Sequence, residues 1–163
     1  MALPLISWTD EYAIGHTGLD AEHHQLVDAI NEISSIKYAE YKLDQLRPLL
    51  EALTIATVNH FKHENTLMRE LCFWASQLPA DRRTTLNTMS TAAMNEHCAE
   101  HAQALLRLES IIHAFYFGEK SGGETLGKTL MDWFTEHALE HDVDLREVLR
   151  VYFTETNGGG GKH

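Results

Sequence analysis

Four long stretches of this chain repeat apolar residues at helical spacing, and this pattern constrains the fold more than any other feature. No segment shows the sustained alternation that is typical of a strand. The connections between most of the stretches are short, which favours antiparallel neighbours. The sequence therefore predicts an all-α chain folded as an antiparallel up-down four-helix bundle. The four predicted helices cover about 20–38, 43–71, 92–117 and 124–153.

The residues before the first helix predict an ordered N-terminal arm. This part of the chain, 1–19, carries Pro4, Gly15 and Gly18 among scattered aromatic residues. Asp20 follows as a natural N-cap, since its carboxylate can accept from a free amide of the first turn. We expect one domain over 1–153, followed by a flexible glycine-rich tail over 154–163.

The chain between the second and third helices is harder to interpret. A break after Trp74 and a new start after Pro79 predict an extra segment over about 74–91. Either both helices extend as a longer hairpin, or a short additional helix lies across one end of the bundle. The sequence leaves both possibilities open.

Composition excludes several classes of function. The chain has 163 residues and a formal net charge of −11, which disfavours binding to nucleic acid or to an anionic membrane surface. No apolar run is long enough to span a bilayer, and the N-terminus does not resemble a signal peptide. The two cysteines form no CxxC pair. A reduced, cytoplasmic location is therefore expected.

Seven side chains on the four predicted helices point to a metal site. The chain contains eleven histidines, and several of them fall at the middle of amphipathic helices. Two pairs are spaced i, i+4, which puts both members about 40° apart on one helical face. The seven candidate ligands are His23, His60, Glu64, His97, His101, His137 and Asp142.

Five imidazoles and two carboxylates are enough to hold two metal ions and to bridge them. Nitrogen and oxygen donors without thiolate suit iron, manganese or zinc, and they do not suggest a cysteine-based structural zinc site. The donor set is richer in nitrogen than that of ferritin-like di-iron oxidases. This composition favours a non-haem di-iron site with a reversible redox cycle.

The ligand after His137 is ambiguous by helical phase. Asp142 lies about 140° from His137 on an ideal helix, whereas His141 and Asp144 lie about 40° and 20° away. Periodicity alone therefore favours His141 or Asp144.

Four motifs in fixed order resemble the bacterial hemerythrins. They are WTDEYAIGHTGLDAEHHQL, HFKHENTLM, HCAEH and WFTEHALEHD, and the resemblance runs from Trp8 to about Val148. It implies that one iron is bound by three histidines and the other by two, and it selects Asp142 over its neighbours. The implied ligands are His97, His101 and His137 for one ion, His23 and His60 for the other, and Glu64 and Asp142 as bridges.

The resemblance also implies a function. Two iron ions joined by an oxo or hydroxo bridge would bind O2 reversibly at the open position of the two-histidine iron, for carriage, storage or delivery. A sensory input domain, in which O2 or redox state controls a protein partner or a fused output domain, is the alternative. A di-iron oxidase or peroxidase is less favoured, because no substrate pocket with its own acid–base pair is visible; we expect no enzyme activity.

Two departures from the family pattern bear on the site. The family usually has a short link between the motifs that contain Glu64 and His97, which here is lengthened by the extra segment. Phe134 stands where the family commonly has leucine, and it is expected to line the O2 pocket together with Phe61 and Trp133.

Three further histidines adjoin the candidate ligands along the chain. By helical phase or by family pattern, we expect them to be surface residues or partners of ligands rather than ligands. They are His24, His63 and His141.

Overall fold

The computed structural model describes residues 6–36, 43–79, 91–118 and 123–158, and helices account for most of them. No strand occurs within these ranges, which confirms the all-α prediction. A short 3-10 helix precedes the first long helix, and a π-helical turn interrupts the fourth helical segment. The elements are the 3-10 helix Asp10–Tyr12, α1 Thr17–Ser35, α2 Leu43–Ser76, α3 Thr91–Tyr116, α4 Gly123–Glu136, the π turn His137–His141 and α5 Val143–Gly158. Together, α4, the π turn and α5 form the fourth helical segment.

Two helices are longer than the periodicity predicted. Helix α2 continues past Leu71 to Ser76, and α5 continues past Phe153 to Gly158. Most of the predicted extra segment, residues 80–90, lies outside the described residues, so the choice between the two arrangements stays open. Residues 159–163 of the predicted tail also lie outside them.

The N-cap of α1 differs from the prediction. The helix begins at Thr17, and His16 is its N-cap, with Nδ1 accepting from the Leu19 amide at 3.3 Å. Asp20 instead lies inside the first turn, where its Oδ1 accepts from the Ile14 amide at 2.7 Å. Gly15 has a φ of 87°, a left-handed conformation that turns the chain into the helix earlier than the apolar pattern suggested. The prediction of Asp20 as N-cap is therefore wrong.

Each of the four helical segments packs against at least two others. Helix α1 contacts α2 and α4, and α3 also contacts α2 and α4. Side-chain pairs give the relative directions: Trp133 Nε1 donates to the Ala104 carbonyl at 2.9 Å, whereas His97 Nε2 lies 3.7 Å from Asp142 Oδ1. Earlier residues of α3 therefore meet later residues of the fourth segment.

The arm before α1 is attached at two places. Ile6 is buried, and its amide donates to Asn31 Oδ1 at 2.8 Å while Asn31 Nδ2 donates back to the Ile6 carbonyl at 2.9 Å. Further along the arm, the Arg146 guanidinium donates to the Glu11 carbonyl. These contacts place the arm against α1 and α5.

The apolar interior consists of two clusters with a polar level between them. The larger cluster includes Leu26, Ile30, Leu50, Leu53, Leu108 and Leu130. The smaller cluster consists of Ile14, Leu19, Met68, Leu71, Leu145, Val148 and Leu149. On all four helical segments the change from one cluster to the other occurs near the candidate metal ligands. Within the described ranges no helix combines the length and apolar composition that crossing a bilayer requires.

Replacement of Gly127 by alanine is expected to destabilise the fold by about 1–3 kcal/mol. A Cβ at Gly127 would lie 2.4 Å from Ser34 Oγ, 2.9 Å from Ser34 Cβ and 3.3 Å from Ser34 Cα, so α1 and α4 would have to separate. Chemical denaturation measures the loss. The control is Gly118→Ala, where no atom lies within 4 Å of the new Cβ and only the φ of 72° is unfavourable. Equal stability of Gly127→Ala and the parent protein would contradict this close packing.

Candidate metal centre

All seven candidate ligands meet at one level of the interior. Six have side chains that are at most 3% exposed, and His97 is 10% exposed. His23 comes from α1, His60 and Glu64 come from α2, and His97 and His101 come from α3. The fourth helical segment supplies the remaining imidazole and carboxylate. Residues far apart in sequence are thus brought together by the packing of four helices.

The ligand atoms form two overlapping groups. Atoms of His23, His60, Glu64 and Asp142 all lie within 4.8 Å of one another, and so do atoms of Glu64, His97, His101 and Asp142. His137 extends the second group, since its Nε2 lies 3.4 Å from Asp142 Oδ1 and 3.7 Å from Glu64 Oε2. Both carboxylates belong to both groups, so the arrangement offers two binding positions with shared carboxylates.

Asp142 is oriented to reach both groups. Its Oδ2 lies 3.4 Å from His23 Nε2, on the side of His23 and His60, which we call the two-histidine side. Its Oδ1 lies 3.4 Å from His137 Nε2 and 3.7 Å from His97 Nε2, on the side of His97, His101 and His137, which we call the three-histidine side. One carboxylate oxygen facing each group is the arrangement that a bridging ligand requires.

The π turn explains how Asp142 reaches this position. Residues 137–141 form one π-helical turn, which contains more residues per turn than an α-helix and shifts the phase of everything after it. Asp142 is consequently buried on the same side as His137. His141 is instead 23% exposed and lies 3.8 Å from Glu100, and Asp144 is exposed. The alternatives that ideal helical phase favoured are therefore directed away from the cluster.

Eight buried polar atoms of the cluster have no hydrogen-bond partner. They are both oxygens of Glu64, both oxygens of Asp142, Nε2 of His97 and His101, and both ring nitrogens of His137. A buried polar atom without a partner costs about 1–3 kcal/mol, so a fold does not accumulate them without compensation.

The spacing and type of these atoms fit metal ions. His23 Nε2 and His60 Nε2 are 3.0 Å apart, about the separation of two nitrogens bound at right angles to one ion at roughly 2.1 Å. Imidazole nitrogens and carboxylate oxygens suit divalent iron, manganese or zinc. The residues present therefore fit one or two such cations.

Three of the imidazoles are oriented by partners outside the cluster. Nδ1 of His23 donates to the Tyr12 carbonyl at 2.6 Å, and Nδ1 of His101 donates to Asn65 Oδ1 at 2.9 Å. Nδ1 of His60 lies 3.1 Å from Glu22 Oε2. Each contact leaves Nε2 of the neutral ring free of a proton and directed at the cluster, which is the form that binds a metal.

Sequence reasoning missed Tyr12, Glu22 and Asn65 as partners of the ligands. Glu22 also accepts from the exposed His63, which is one of the histidines expected to lie beside the ligands. The adjacency of Glu22 to His23 and of Asn65 to Glu64 was the signal in the chain. The partner of Glu22, His60, comes from another helix, so helix packing had to be known first.

The pKa values of the buried groups are shifted in opposite directions. Burial favours the neutral form of Glu64, yet the nearby His60, His101 and His137 hold the pKa of its carboxyl well below its ordinary value. Burial lowers the pKa of His97 and His101. Glu64 is therefore anionic, and these two rings are neutral near pH 7, as binding of a cation requires.

The pKa values of His23 and His137 are shifted in the opposite direction to those of His97 and His101. Burial opposes their protonation, but the carboxylate of Asp142 outweighs it, and the pKa of both imidazoles is raised. Asp142 thus favours the protonated form of both rings.

Aromatic rings surround the cluster unequally. Phe134 is fully buried, and its ring centre lies 5.7 Å from that of His23 and 5.4 Å from that of Tyr12. Phe61 stacks on His101 at 4.2 Å. Trp133 is buried with its indole bound to the backbone of α3. Of the three residues expected to line an O2 pocket, Phe134 therefore adjoins the two-histidine side at His23, and Phe61 adjoins it at His60, with ring centres also 5.7 Å apart.

Comparison with known families gives one match. The profile of the hemerythrin HHE cation binding domain matches residues 15–147, a range that includes all seven residues of the cluster. No curated protein sequence and no solved structure matches the chain significantly.

Removal of Asp142 is expected to abolish metal binding at one or both positions. Asp142→Ala deletes an oxygen from each group, whereas Asp144→Ala changes an exposed side chain and serves as the matched control. Metal content per chain is measured after anaerobic incubation with excess Fe2+ and removal of free ion. Retention of metal by Asp142→Ala together with its loss from Asp144→Ala would show that ideal helical phase, not the π turn, selects the ligand.

Proposed function

The chain belongs to the hemerythrin HHE cation-binding domain family, and from this premise we propose that its buried cluster holds two iron ions and binds O2 reversibly. The observation that carries the proposal is the pair of overlapping donor groups that share Glu64 and Asp142. A single ion would need only one of these groups. The proposed role is carriage, storage or delivery of O2.

The seven candidate ligands would be shared between two iron ions. His97, His101 and His137 would hold one ion and His23 and His60 the other, while the two carboxylates would join them. Two ferrous ions held by these residues would supply the electrons that O2 takes up on binding and returns on release. Five protein ligands on one side and four on the other leave the two-histidine side with more room for an exogenous ligand.

The surroundings of the two-histidine side favour an uncharged diatomic ligand. His23 and His60 are fully buried, and the ring of Phe134 packs at right angles to that of His23. Apolar walls exclude water and offer no partner to a polar organic substrate. This supports ligand binding rather than enzymatic turnover.

We infer that the four helical segments form an antiparallel up-down bundle with the N-terminal arm closed over one side. The order of helix contacts and the opposed direction of the pairs between α3 and the fourth segment support it. The hydrogen bonds between Ile6 and Asn31 support the attachment of the arm.

Iron loading and cycled O2 test the proposal. The protein reconstituted with Fe2+ without oxygen should contain two irons per chain, and exposure to O2 should produce a visible charge-transfer band that disappears when O2 is removed. His137→Ala should lower the iron content and abolish the band, because it removes a ligand from the three-histidine group. A band that forms but never reverses would favour redox sensing over carriage. Fewer than two irons in the parent protein would reject the di-iron centre.

Phe134→Leu is expected to accelerate autoxidation of the O2-bound protein several-fold. The smaller side chain leaves space beside His23 through which water and small anions can approach. Decay of the charge-transfer band in air measures the rate. Leu108→Ala, which removes buried volume two turns from His101, controls for general loosening of the core. An unchanged rate in Phe134→Leu would mean that this ring does not protect the ligand.

A further inference from the structure

A surface cavity lies beside the three-histidine side of the cluster. Its volume is about 320 Å³, and side chains from α2, α3, the π turn and α5 line it. Its lining includes four carboxylates: Glu96, Glu100, Glu140 and Asp144. Nothing in the proposed binding of O2 uses these groups.

The charged side chains that line the cavity are carboxylates. Glu96, Glu140 and Asp144 are exposed, and Glu100 has a side chain that is 38% exposed. No lysine or arginine is among the described residues of the lining, and the imidazole of His141 lies 3.8 Å from Glu100. A concave surface lined by one sign of charge raises the local concentration of the opposite ion.

His97 connects this cavity with the buried cluster. It is the one of the seven candidate ligands that lines the cavity, and its side chain is nine-tenths buried. Its Nε2 has no hydrogen-bond partner and lies 3.7 Å from Asp142 Oδ1. The buried Nε2 of His97, which can bind a metal and has no hydrogen-bond partner, therefore lies between the carboxylates of the cavity and those of the centre.

The opposite side of the cluster presents a different surface. His23 and His60 are fully buried, and Phe134 beside them is too. The carboxylate that adjoins this side, Glu22, has a side chain that is 22% exposed, and it is already bonded to His60 and His63. The acidic cavity and His97 give the approach in which water ligands can be replaced one by one by carboxylate oxygen and imidazole nitrogen.

We propose that this cavity is the loading site through which Fe2+ reaches the centre. The carboxylates at 96, 100 and 140 collect the hydrated divalent cation, and His97 is the first ligand of the centre to bind it. The step is ligand exchange only, with no change in oxidation state. This inference rests on the proposed function, since it assumes that the centre holds iron. Uncharged O2 gains nothing from the carboxylates, so the cavity is assigned to the cation.

The test compares two variants that lose the same charge. The first is Glu96→Gln, Glu100→Gln and Glu140→Gln combined. Asp144 is retained because it lies in the first turn of α5, where a carboxylate stabilises the helix. The control is Asp28→Asn, Glu51→Gln and Glu109→Gln combined, three exposed acids that do not line the cavity.

Metal-free protein is mixed with Fe2+ without oxygen, and uptake is stopped at intervals with a ferrous chelator. We expect the cavity variant to load about tenfold more slowly than the control at low ionic strength, with a much smaller difference at 0.5 M salt. The final iron content of both should equal that of the parent protein.

Equal loading rates in the two variants would overturn the loading site while leaving the di-iron centre intact. A parent protein that takes up no iron would overturn both proposals, and the final content reveals this rather than the rate. Circular dichroism shows whether the variants are folded. If the triple cavity variant is not, Glu96→Gln alone should slow loading about twofold, and an unchanged rate would reject the loading site.

Discussion

The structure depends on two carboxylates that are buried without hydrogen-bond partners among five imidazoles. Glu64 and Asp142 are both inaccessible to solvent, and the pKa of Glu64 is held low by the rings around it. Burying such anions in an apolar interior is expensive unless an opposite charge compensates them. The carboxylate of Asp142 in turn favours the protonated form of His23 and His137, whose pKa values are raised despite their burial. Cations bound between the two groups would compensate more fully, so metal binding and stability of the fold are coupled.

The two apolar clusters make this polar level possible. Each helical segment changes from one cluster to the other near its ligand, so the packing of leucines on either side fixes the height at which every ligand points inward. Three of the five imidazoles, those of His23, His60 and His101, are then fixed in rotation by Tyr12, Glu22 and Asn65. Packing therefore sets the level of the ligand side chains along the helices, and hydrogen bonds set the direction in which the imidazole rings point. Together they keep the donor atoms in place without a cation.

Local periodicity was sufficient to predict the helices and the ligand pairs, because both follow from the geometry of a single helix. His60 with Glu64 and His97 with His101 share a face at the ordinary spacing of four. Asp142 was beyond this reasoning, since a π turn changes the number of residues per turn and nothing in the periodicity marks where one occurs. Asp20 was misinterpreted for a similar reason: the chain direction at Gly15 decides where α1 begins. The partners of the imidazoles come from other segments and depend on helix register.

The centre is asymmetric in the way that binding and loading would both require. On the two-histidine side, Phe134 is fully buried and packs against His23, a setting that would suit the small uncharged ligand proposed above. On the three-histidine side, His97 lines an acidic cavity that attracts cations and repels anions. If metal and O2 shared one route, the carboxylates that attract iron would line the ligand pocket and draw water into it, and water promotes oxidation of ferrous centres. Separate sides allow one part of the surface to be polar and charged while the other stays apolar. The π turn contributes to both, since it directs Asp142 inward and leaves Glu140 at the rim of the cavity.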